Sequence, residues 1–85
     1  MHTVELLEAA RAIAEQLGFK IREEHLDGGG GACTVHGQKW LFLDVASGTS
    51  EQLEQVAAAL IADPQIYSID MPPTLAGYLG VRKSA

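Results

Sequence analysis

The sequence is poor in the residues from which small secreted or membrane proteins are built. One cysteine among 85 residues cannot form an internal disulfide, so we expect a reducing compartment, the cytoplasm. No apolar run approaches the roughly 20 residues that a transmembrane helix needs. Glu5 and Glu8 interrupt the N-terminus where a signal peptide would require an apolar stretch. These absences predict a small cytoplasmic protein.

Basic residues are scarce as well. Six Lys and Arg stand against eleven Asp and Glu, which gives a net charge of −5, and the six are spread along the chain. Nucleic-acid-binding domains normally carry a basic patch or stripe, and binding to anionic lipid requires a cluster of Lys and Arg. We therefore expect neither nucleic acid nor a membrane as a partner.

Apolar residues make up 47% of the chain, which is enough for one globular domain over residues 1–85, with 81–85 as a frayed tail. Apolar spacings of three and four predict a helix over 3–17, capped by Thr3. The same spacing, after a capping-box pattern at Thr49 and Gln52, predicts a second helix that ends near residue 62.

The remaining pattern predicts strands and a short last helix. Residues 19–26 begin with alternation of apolar and polar residues, 32–36 form a short apolar stretch, and 39–46 are almost continuously apolar. Residues 65–71 are either extended or a turn, and Pro72-Pro73 begin a short helix that stops at Gly80.

Short connections favour antiparallel neighbours. The predicted fold is therefore α+β: two layers in the order α-β-β-β-α, with a three-stranded antiparallel sheet, both long helices on one face, and a short C-terminal helix.

Strand parity predicts which sheet face meets the helices. Pairing the first strand with the second places an apolar set on the helix side: Phe19, Ile21, Cys33, Val35, Trp40 and Phe42. Leu41 and Leu43 then lie on the opposite face, exposed unless the C-terminal segment or a second subunit covers them. A bulge could reverse the parity of the third strand. We interpret Leu41 and Leu43 as the centre of a homodimer interface.

Cys33 is a candidate nucleophile, with His25 as base and Asp44 as the group that orients the base. A free cysteine is more often a small structural hydrophobe. Cys33 and His36 are three residues apart on a strand and point to opposite faces, so we expect no metal site, and nothing in the sequence indicates a cofactor.

Four glycines, 28–31, resemble a phosphate-binding loop in composition alone. Such a loop needs a helix N-terminus after it, whereas here a strand follows. The other interpretations are a flexible hairpin loop, or a place where the backbone of another chain approaches.

The α-β-β-β-α order resembles that of double-stranded RNA-binding domains. Those domains place lysines at the start of the last helix, where residues 49–54 here read Thr-Ser-Glu-Gln-Leu-Glu. This acidic segment would repel phosphate, so the resemblance is one of topology alone.

A second resemblance covers nearly the whole chain. Gly-Gly-Gly-Gly-Ala-Cys-Thr-Val-His-Gly (28–37), Lys-Trp-Leu-Phe-Leu-Asp (39–44), Glu-Gln-Leu-Glu-Gln-Val (51–56) and Met-Pro-Pro (71–73) are similar to a group of small bacterial proteins with no assigned activity. The resemblance implies a bacterial source and transfers no site residue.

The sequence therefore predicts a non-enzymatic protein-interaction module that self-associates or joins a protein partner. Two alternatives remain open. One is a small enzyme or redox protein that uses Cys33 with His25. The other is a small-ligand binder at the glycine-rich hairpin.

Overall fold

The computed structural model describes residues 2–27 and 29–81. These residues form three α-helices, three strands and one 3₁₀ helix: α1 (Thr3–Gln16), β1 (Phe19–Glu24), β2 (Gly31–Val35), β3 (Gln38–Asp44), α2 (Thr49–Ala62), the 3₁₀ helix (Pro64–Ser68) and α3 (Pro73–Leu79). The α+β class is confirmed, and the three predicted helices are present. Residues 82–85 of the predicted tail lie outside the described residues.

The helix ends differ slightly from the predicted caps. The residue before α1 is His2, whose backbone N–H donates to Glu5 Oε1 at 3.3 Å. Gly48 precedes α2, and the Gln52 amide donates to the Asp44 carbonyl at 2.9 Å instead of closing a capping box. Gln52 therefore links α2 to the end of β3. Both predicted cap positions are one residue too late.

The sheet has the order β1-β3-β2, so the prediction of a purely antiparallel sheet is wrong. Strand β3 is parallel to β1 and antiparallel to β2. The segment after β1 carries the chain across to the far edge, and the tight turn at His36-Gly37 brings β3 back between the two other strands. The most apolar strand thereby takes the central position, where it has a neighbour on each side.

This order reverses the predicted faces of β2 and β3, whereas Phe19 and Ile21 of β1 lie on the core side as predicted. The hairpin parity is as expected, with Cys33 level with Trp40. Strand β1, however, pairs with β3, so Ile21 is level with Leu41. Leu41 and Leu43 are each 0% exposed and belong to the core. The prediction that these two leucines form an exposed interface is therefore wrong.

Apolar side chains from both long helices and from β1 and β3 meet in one core. It is closed by Ile66 of the 3₁₀ helix and by Leu75 and Leu79 of α3. Apolar residues at spacings of three and four in the two long predicted helices are buried there, among them Ile13, Leu17, Leu53, Val56 and Leu60. Trp40, which was predicted on the helix side, is only half-buried. Helix α3 packs against α1, which places the C-terminal segment beside the helices.

Candidate functional site: an open sheet face and an edge strand

The sheet face opposite the core carries an aromatic pair. We call it the open face, and its members alternate with the core residues along each strand: Lys20, Arg22, Glu24, Cys33, Val35, Trp40 and Phe42. The Trp40 and Phe42 rings stack with centroids 6.0 Å apart, and Lys20 Nζ lies 5.6 Å from the Trp40 ring. Arg22 Nε contacts Glu24 Oε2 at 3.1 Å.

The two edge strands differ sharply in charge. Strand β1 (Phe-Lys-Ile-Arg-Glu-Glu) carries four charged residues, whereas β2 (Gly-Ala-Cys-Thr-Val) carries none and has no proline. Charges and prolines are the usual means by which proteins prevent an edge strand from pairing with another chain. All of β2 from Ala32 to Val35 is exposed, so β2 is an unprotected edge.

The hairpin turn determines which backbone groups of β2 point away from the sheet. His36 and Gly37 have φ of 50° and 79°, as in a type I′ turn of two residues. In such a hairpin the flanking pair, Val35 and Gln38, exchanges hydrogen bonds, and hydrogen-bonded pairs then alternate along the ladder. The backbone N–H and C=O groups of Cys33 thus form hydrogen bonds with β3, while those of Ala32 and Thr34 point away from the sheet.

A groove of about 370 Å³ runs beside β2 on the core side of the sheet. It is lined by Phe19, Ala32, Cys33, Thr34, Lys39, Ala59, Ala62, Asp63 and Pro64. Small side chains from α2, Ala59 and Ala62, leave the space next to the strand unfilled.

An ion pair closes one end of this groove. Lys39 Nζ lies 2.6 Å from Asp63 Oδ2, and the Gln65 N–H donates to Asp63 Oδ1 at 2.9 Å. The hydrogen bond from Lys39 and then that from Gln65 lower the pKa of Asp63 below its ordinary value, although burial opposes them. The two hydrogen bonds therefore hold the Asp63 carboxylate at this end of the groove.

The glycine-rich loop makes a close approach to its neighbours. A Cβ at Gly30 would lie 3.0 Å from the Phe42 carbonyl oxygen and 3.0 Å from Gln55 Oε1. These neighbours belong to the same chain, so the close approach at Gly30 is intramolecular. A concavity of about 330 Å³ borders the loop, lined by Leu26, Gly29, Gly30, Gly31, Ala32, Cys33 and Phe42. Gly28 lies outside the described residues.

The sheet register does not bring the candidate catalytic residues together. Cys33 is exposed and level with Trp40, whereas Asp44 is four residues further along β3, about 13 Å at the usual strand rise. Asp44 is 3% exposed and accepts a hydrogen bond from the Ala46 N–H at 2.9 Å. His25 follows Glu24, which is level with Asp44.

Within residues 2–27 and 29–81, no group of three His, Cys, Asp or Glu side chains is placed to hold a metal ion. Over the same residues, no helix combines the length and apolar character needed to cross a bilayer. Comparison with protein-family models, curated proteins and solved structures finds no match to this chain.

The position of β2 at the edge of the sheet was not predicted from the sequence. The composition of residues 31–35, small and uncharged, was visible in the sequence, but their position at the rim depends on the order of the strands.

Proposed function

We propose that this protein is a non-enzymatic protein-interaction module that self-associates through strand β2. The observation that carries the proposal is the unprotected edge: outward backbone groups at Ala32 and Thr34 on an exposed, uncharged strand. We also propose the two-layer arrangement expected from the sequence, with the open face uncovered. An exposed thiol at Cys33 suits a reducing compartment such as the cytoplasm.

Such an edge is suited to pairing with a strand of another chain. An added strand accepts from and donates to the outward backbone groups, and its side chains alternate between the two sheet faces. Hydrogen bonds between backbones are largely independent of sequence, so the adjoining groove and side chains determine which strand binds.

Light scattering on the unmodified protein tests self-association directly. We expect a dimer at about 0.1 mM, a concentration well above the dissociation constants of specific complexes. A monomer at that concentration overturns the proposal.

A proline at Thr34 tests the site. Thr34→Pro removes an outward N–H and leaves the hydrogen-bonded pairs of the β2–β3 ladder intact, and edge strands tolerate proline. The matched control is Thr34→Val, which keeps the N–H and the branched shape. We expect a folded monomer for Thr34→Pro and a dimer for Thr34→Val, with circular dichroism reporting the fold. Equal dimerisation of both folded variants contradicts pairing through β2.

A second candidate function is binding of a small ligand beside the glycine-rich loop, favoured by the concavity at Gly29–Gly31 and Phe42. A ligand of the folded state raises the melting temperature. A thermal-shift screen of small metabolites tests this candidate, with Gly30→Ala as the variant, because a Cβ there meets the Phe42 carbonyl oxygen. A shift that Gly30→Ala abolishes supports it, and no shift with any compound rejects it.

A further inference from the structure

We infer that two copies of this chain pair β2 with β2 about a two-fold axis at Cys33, joining their sheets into one of six strands. The inference rests on the proposed self-association and specifies its register. It follows from three features: the direction of the free backbone groups, the length of the strand, and the groove beside it.

A two-fold axis makes two copies of the same strand antiparallel. With the axis at Cys33, all five residues of β2 gain a partner. Ala32 lies opposite Thr34 of the partner subunit, and Gly31 lies opposite Val35 of the partner subunit. An axis moved to Ala32 or to Thr34 leaves two residues of each strand without a partner.

The outward groups match this register. Ala32 and Thr34 carry the free N–H and C=O groups. In this register, Ala32 of each subunit lies opposite Thr34 of the partner subunit. Each such pair exchanges two hydrogen bonds, so the two symmetry-related pairs form four bonds in total. Cys33, whose own groups face β3, occupies a non-hydrogen-bonded site opposite its copy.

The groove identifies a second copy as the occupant. Helix α2 packs against both β2 and β3, so its axis lies one strand spacing, about 4.8 Å, from the two-fold axis. The α2 axes of the two copies would therefore lie about 10 Å apart. Packed helices lie about 8–10 Å apart. Ala59 and Ala62, which line the groove, are small enough for that approach. The α2 helix of each copy would therefore cover the groove of the other.

The inferred register brings two Cys33 thiols face to face. Opposite residues at a non-hydrogen-bonded antiparallel site have Cα atoms about 4.5 Å apart, within the range of about 4.4–6.8 Å that a disulfide spans. A residue at position 32 would instead lie about 8 Å from its copy, from the strand spacing and a two-residue offset, beyond that range.

Oxidative cross-linking measures the register. Two Cys33 thiols and one oxidised glutathione yield one intermolecular disulfide and two reduced glutathiones, so atoms and electrons balance. The unmodified chain is compared with a variant that combines Cys33→Ser and Ala32→Cys, which moves the single thiol by one residue. Non-reducing electrophoresis follows the covalent dimer at about 0.1 mM protein, well above the dissociation constants of specific complexes.

We expect the thiol at position 33 to cross-link at least about tenfold faster than the thiol at position 32, a factor of ten corresponding to about 1.4 kcal/mol in the barrier. Each of the two chains is also made with Thr34→Pro, which we expect to keep it monomeric. Labelling of these monomers with iodoacetamide checks that the thiol at each position is accessible. If light scattering shows a dimer but the thiols at positions 32 and 33 cross-link at equal rates, the inferred register is overturned and the proposed function stands. A monomer by light scattering overturns both.

Discussion

Leu60 shows how much of the stability depends on a single side chain. It is 0% exposed in the core, whereas its neighbour Ile61 is 51% exposed. Leu60→Ala removes buried apolar surface and leaves a cavity, so we expect a loss of about 2–5 kcal/mol in the free energy of unfolding. Urea denaturation at one protein concentration measures it, since dimerisation would make stability depend on concentration.

The matched control is Ile61→Ala. This residue is on the same helix and more than half exposed, so we expect a cost below about 1 kcal/mol. Equal losses for the two variants would contradict the observed orientation of α2.

Asp63 provides a pH-dependent test of one ion pair. Its hydrogen bond to Lys39 lowers its pKa below the ordinary 3.8. A lowered folded-state pKa stabilises the protein above the unfolded-state value, and that stabilisation is lost as pH falls through the folded-state pKa.

We therefore expect Asp63→Asn, which keeps a side-chain oxygen for the Gln65 N–H, to cost about 0.5–1 kcal/mol at pH 7. The difference between the two proteins should shrink as pH falls below about 4. Urea denaturation between pH 2.5 and 7 measures it, with Glu8→Gln on exposed α1 surface as control. A difference that does not change with pH contradicts the role of the ion pair.

At the scale of an element, α3 contains a glycine that helix formation does not require. A Cβ at Gly77 would meet nothing within 4 Å, whereas Gly80, just after the helix, has φ of 74°. We expect Gly77→Ala to stabilise the protein by about 0.5–1 kcal/mol through helix propensity. Gly80→Ala should destabilise it by about 1 kcal/mol, because an L side chain is strained in the left-handed region. Thermal unfolding measures both, and the same sign for both would contradict the helix end at Leu79.

The helices could be read from the sequence with nearly correct bounds, because each depends on contacts three or four residues apart. Leu53, Val56 and Leu60 mark the buried side of α2 without any knowledge of what covers it. The caps were less accurate: the Gln52 amide reaches the Asp44 carbonyl, a tertiary contact that competes with the local capping box.

The charge of the whole molecule makes nucleic acid an unfavourable partner. With a net charge of −5, we expect no retention on RNA or DNA affinity columns at about 0.15 M salt. Stacked aromatics beside basic residues are a feature of single-strand binding, and Trp40 with Lys20 has this local form. Salt-sensitive retention that Trp40→Ala abolishes would contradict the expectation and place nucleic acid on the open face.

In the candidate site, contacts between residues close in sequence were predictable, and contacts between distant strands were not. The parity of the β2–β3 hairpin was predictable because the turn at His36-Gly37 connects the two strands directly. The grouping of Cys33, His25 and Asp44 was not, because it depended on β1 pairing with β2. Once β1 lies beside β3, the same register that places Cys33 level with Trp40 separates it from Asp44 by four residues.

The sequence by itself determined the α+β composition, the three helices and the alternation of side chains along each strand, since these follow from periodicities of a few residues. Tertiary structure decided the order of the strands, and with it which face is core and which strand is an edge. Placing β3 in the centre buries Leu41 and Leu43 and leaves Trp40 on the open face. The physical reason is that strand pairing joins backbones distant in sequence, so the partner of β1 depends on the packing of the whole core.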